Sequence, residues 1–124
     1  MKSYLLLLRQ GDLRLGQAAA RERLSPRLVE WCQKLEADGR LVMYESLIHD
    51  NRCRVRKSAD RLVIDGPFAD SRELVIGVLI LRAANIGEAA RMAGECPSVG
   101  QGGEVEVREI ADPPPAEKPF DDAG

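Results

Sequence analysis

The chain has little of what usually announces a function. A single histidine, His49, and three cysteines stand among 124 residues. Cys32, Cys53 and Cys96 are widely spaced and odd in number, so they supply no disulfide framework and read as reduced thiols. No Cys-x-x-Cys pair is present, and Cys32 and Cys96 fall on helix core faces, so no metal site is expected. Neither a phosphate-loop nor a dinucleotide glycine motif is present, and no cofactor is expected. Aromatics are only 4% of residues, so the core must be aliphatic. There is no excess of positive charge. The net charge of −2 gives no reason to expect nucleic acid or an anionic membrane as a partner. Long hydrophobic runs are also missing. The run at Tyr4–Leu8 is too short for a signal peptide or a membrane span, which makes the cytoplasm the expected location.

What is present is the pattern of one α+β domain. A continuous apolar run at 4–8 predicts a strand buried on both faces. Residues 18–24 could form a helical turn or two. Ser25-Pro26 then reads as an N-cap with proline at the first helical position. Leu28, Trp31, Cys32 and Leu35 follow at helical spacing, and Gly39 ends the helix. Residues 41–48 predict a second strand. Alternation through 52–56, a turn at Ser58-Ala59-Asp60 and a return through Leu62-Val63-Ile64 predict a hairpin arm. Residues 74–81 form a second apolar strand, interrupted by Gly77. Asn85 and Glu88 have capping-box spacing and open a second helix with a face of Ala89, Met92, Ala93 and Cys96, ended by Pro97. Residues 98–103 read as a flexible glycine-rich connection, and Val105 and Val107 alternate in a last strand. From Ala111 the proline-rich acidic tail reads as extended or disordered. The expected division is one domain over 1–110 and a tail over 111–124.

Without the arm the order is βαββαβ, which predicts a ferredoxin-like fold with an inserted β-hairpin. Its first and third strands belong at the sheet centre, and those are the two strands apolar throughout. Both would offer leucine, valine or isoleucine to each face. Packing the open face against a second copy would hide it, so a homodimer is expected.

The segment from Asp65-Gly66-Pro67-Phe68 through Glu73 to Gly77 resembles the signature of the DGPF-domain, or YciI-related, family. Glu88-Ala89, Cys96-Pro97 and Glu104–Arg108 extend the likeness over about residues 1–110. The resemblance implies a ferredoxin-like fold in a dimeric α+β barrel. It also implies that some relatives are small-molecule lyases or hydrolases, and that some are encoded beside sigma factors. The YciI branch carries a His–Asp pair with its histidine in the first helix. This chain keeps the aspartate as Asp65 but has no histidine there, Leu28 falling near the expected place, so the resemblance does not simply carry the dyad over.

Asp65-Gly66-Pro67 is first a turn, and Asp65 either ties the loop or faces a pocket as a base or orienting carboxylate. His49, at a strand end, is a proton-shuttle candidate or an exposed loop residue. Glu73 either lines the pocket or pairs with an arginine, and Phe68 and Tyr44 complete the candidate ligand-binding set. Arg52, Arg54, Arg56, Lys57 and Arg61 read as a solvated basic hairpin face rather than an anion site. Two functions follow. One is a non-catalytic small-ligand-binding or regulatory module with a protein partner. The other is a lyase- or hydrolase-type enzyme using Asp65, with His49, in a pocket between paired sheets.

Overall fold

A computed structural model describes residues 1–10, 17–47, 53–66 and 74–111. Elements follow in the order β1 (Lys2–Gln10), α1 (Gln17–Ala37), β2 (Leu41–Ser46), β3 (Arg54–Ser58), β4 (Arg61–Asp65), β5 (Leu74–Ala83), α2 (Ile86–Ala93) and β6 (Glu104–Glu109). A short 3-10 helix, Pro97–Gln101, lies between α2 and β6. Four strands form one antiparallel sheet in the order β2-β5-β1-β6, and β3 and β4 form a separate hairpin. This is the ferredoxin-like order, with the two apolar strands β1 and β5 at its centre.

Alternation decides which face each side chain joins. Tyr4, Leu6 and Leu8 of β1 and Leu79, Leu81 and Ala83 of β5 are fully buried on one face. Leu28, Trp31, Cys32 and Leu35 of α1 pack there, with Ala89 and Ala93 of α2 and Cys96 beyond it. Both helices therefore cover the same face. The alanines let α2 lie close to the strands, and Trp31 is buried with no hydrogen-bond partner for its indole N–H among the described residues.

Helix α1 begins earlier than Ser25-Pro26 predicts, because Pro26 lies inside it. Proline forfeits one backbone bond there, and the helix carries that loss, with Leu28, Trp31, Cys32 and Leu35 buried in the turns that follow. Its end is as expected. Gly39 adopts φ +71°, its N–H donates to the Glu36 carbonyl, and Arg40 N–H donates to that of Leu35. These two bonds are a Schellman stop. The stretch read as a flexible connection is also more ordered than its glycines suggest. Ser98 is fully buried within the 3-10 helix, with its hydroxyl 3.2 Å from the Cys96 thiol. Gly102, at φ +84°, then turns the chain into β6.

The arm turns at Ala59 and Asp60, with φ of +51° and +67°. Two positive φ values in a two-residue loop match the right-handed twist of paired strands. Among the described residues, no helix is long and apolar enough to cross a membrane. The tail from 112 lies outside the described residues.

Candidate functional site

Asp65 ends β4 at the base of the arm, directly opposite Arg54 in the register. Its Oδ2 accepts from Arg56 Nε at 3.3 Å. Arg56 stands opposite Val63, so the contact is the diagonal one on the same face of the hairpin. Both side chains are about half exposed, which makes the pair a weak, solvent-screened tie. Gly66 follows at φ +142°, a backbone that L side chains rarely adopt.

Tyr44 lies in the other sheet, on β2, half-buried against the core. Its ring occupies the space that a β-carbon on Gly77 would need, with Cε1 at 3.1 Å and the hydroxyl at 3.2 Å from that point. The hydroxyl also lies 2.9 Å from Ser46 Oγ. Gly77, an interruption in the sequence pattern, is thus the seat of the tyrosine ring. Asp65 and Tyr44 sit on different sheets, and no contact joins them among the interactions described. His49, Phe68 and Glu73 lie outside the described residues.

A stronger polar cluster was not legible as a site in the sequence. Arg40 follows α1, and its guanidinium meets both carboxylate oxygens of Glu88 on α2, at 3.1 and 3.4 Å. The same group donates to the Arg82 carbonyl at 3.1 Å. Glu88 also accepts from the Ala84 N–H at 2.7 Å, while its own N–H donates to Asn85 Oδ1 at 2.9 Å. This is the expected capping box, reaching one residue further back. The Ala84 bond first, and Arg40 second, hold the Glu88 carboxyl below its ordinary value. The cluster borders a depression of about 460 Å³ lined also by Leu35, Asp38 and Met92. Its geometry is that of a clamp: the arginine is spent on protein acceptors.

The thiols divide by burial. Cys53 is exposed, whereas Cys32 and Cys96 are buried, and all three are free. Burial, with Cys96 nearby, pushes the Cys32 thiol up to about 11. Burial also raises Cys96 against the opposing hydrogen bonds of Ser98. Protonated, enclosed thiols are poor nucleophiles. Among the described residues, no three His, Cys, Asp or Glu side chains come together as metal ligands would.

The opposite face of the four-stranded sheet is the remaining large surface. Leu5 and Leu7 of β1, Val78 and Ile80 of β5 and Met43 of β2 are half-buried there, outside the core cluster. Its β6 margin is charged: Arg9 of β1 pairs with Glu106 at 2.9 Å, beside Glu104 and Arg108. No described helix lies over this strip.

No curated protein matches the chain significantly. The sequence model of the YCII-related domain matches residues 3–113, which runs from Ser3 of β1 through the last described strand, β6, and includes Asp65. With the strand order above, that match shows that the chain belongs to the YCII-related domain family.

Proposed function

We propose that this chain is a non-catalytic, small-ligand-binding or regulatory module that works as a homodimer, its sheets packed open face to open face. The observation that carries this reading is the apolar strip of Leu5, Leu7, Met43, Val78 and Ile80, which no described helix covers. A solvated antiparallel face alternates with polar residues, and this one does not at its centre. A two-fold axis needs one self-complementary surface, and the charged β6 margin would ring the cleft. The Asp65 carboxylate is engaged by Arg56, which favours a structural or binding role over a free base.

Light scattering coupled to size exclusion tests the assembly. Twice the chain mass of 13.7 kDa is expected at micromolar concentration, and Ile80→Arg is expected to yield monomer. A wild-type monomer would end the reading. A thermal-shift screen against organic acids and phenolic compounds tests the ligand role, because a molecule that binds only the native state raises the melting temperature. Turnover of a stabilising compound, abolished by Asp65→Ala, would replace this reading with the enzymatic one.

A further inference from the structure

The hairpin arm carries the least explained surface of the molecule. Val55, Leu62 and Ile64 are 60, 61 and 59% exposed. The register puts Val55 directly opposite Ile64, and Leu62 lies two residues from Ile64 on the same face. Three aliphatic side chains thus form one patch beside Lys57. The strands β3 and β4 pair with each other, and no other described element lays a packed face against them. An isolated two-stranded hairpin is marginally stable at best in water. This one also turns through Ala59 at φ +51°, where an L side chain is strained.

We infer that the arm packs its Val55–Leu62–Ile64 face on the body of a second copy of this chain, extending the interface between the paired sheets. The inference rests on the homodimer reading above. Area is the first reason. The apolar side chains described on the open strip, Leu5, Leu7, Met43, Val75, Val78 and Ile80, are already half-buried, and its β6 margin is charged. A stable interface hides about 800 Å² per partner. The three arm residues add roughly 200 Å² of apolar surface from each protomer. Charge is the second reason. Residues 53–66 hold Arg54, Arg56, Lys57 and Arg61 against Asp60 and Asp65, a net +2. The described residues outside the arm, 1–10, 17–47 and 74–111, hold 10 positive and 10 negative side chains, a net of zero. Two arms repel each other, so each arm is set against a partner's neutral body rather than against its arm.

The test uses the full chain. Val55→Ser with Ile64→Ser changes two exposed side chains, and the buried Trp31 reports by fluorescence whether the fold is kept. Sedimentation should show at least a tenfold rise in the dimer dissociation constant. An unchanged constant, with Ile80→Arg still dissociating the dimer, would overturn the arm contact and leave the sheet pairing standing. A wild-type monomer would instead remove the pairing and the arm contact together. A second measurement fixes the location. A short thiol-to-amine cross-linker attached at the exposed Cys53, in a mixture of isotopically heavy and light chains, should join Cys53 to lysines of the other copy. Links confined to the same chain, Lys118 of its own C-terminal segment included, would overturn the inference, because that segment would then cover the arm.

Discussion

Arg40 and Glu88, 48 positions apart in sequence, meet at two points, with Arg40 Nη1 and Nη2 lying 3.1 and 3.4 Å from the two carboxylate oxygens. The contact locks the end of α1 to the start of α2. The same carboxylate caps α2 through Ala84, so one side chain serves a helix terminus and a tertiary tie.

Glu88→Gln is therefore expected to destabilise the protein in a pH-dependent way. The folded carboxyl sits below its unfolded value, so its contribution is full above the unfolded value and is lost as pH falls through the folded one. Melting temperatures measured from about pH 7 to about pH 3 should show the gap between wild type and variant narrowing towards acid. A gap that stays constant would mean that charge contributes nothing to the clamp.

Gly66→Val is expected to cost more than Asp65→Asn. Valine at φ +142° would be strained by about 1–3 kcal/mol. The asparagine change weakens one exposed ion pair, worth less than about 1 kcal/mol. Denaturant melts compare the two directly, and a larger loss for Asp65→Asn would point to a demand on the carboxylate that the Arg56 contact does not explain.

Gly77→Ala is expected to destabilise by roughly 1 kcal/mol, because its methyl group would crowd the Tyr44 ring. In a Tyr44→Ala background the same change should be nearly neutral. A double-mutant cycle with no coupling would show that the backbone at Gly77, rather than the ring, demands glycine.

The parts legible in the sequence were those governed by local rules. Continuous apolar runs put β1 and β5 at the sheet centre, and Asn85 with Glu88 marked the start of α2. Local rules also misled. Ser25-Pro26 has the chemistry of a helix start, yet α1 runs through it, because a helix anchored by Leu28, Trp31 and Leu35 tolerates one missing bond. Glycines around Ser98 resemble a linker, but burial of Ser98 beside Cys96 is a tertiary fact with no periodic signal. The Arg40–Glu88 clamp is likewise invisible to spacing. Of the candidate site residues, Asp65 and Tyr44 proved to belong to separate sheets, which no reading of adjacent motifs reveals.

The pairing of β1 with β6 also sets a schedule for the chain as it is made. Gln10 closes β1, and β6 begins at Glu104. At roughly 5–20 residues per second, one side of β1 stays without its partner strand for about 5–20 s after β1 itself is synthesised. During that interval Leu5 to Leu8 present an apolar edge with free N–H and C=O groups, the form most prone to wrong pairing. Substitutions that loosen β6, such as Val107→Ala, are therefore expected to lower soluble yield during synthesis more than they lower the stability of the finished fold. Refolding of the complete chain, where β6 is present from the start, would be spared that delay.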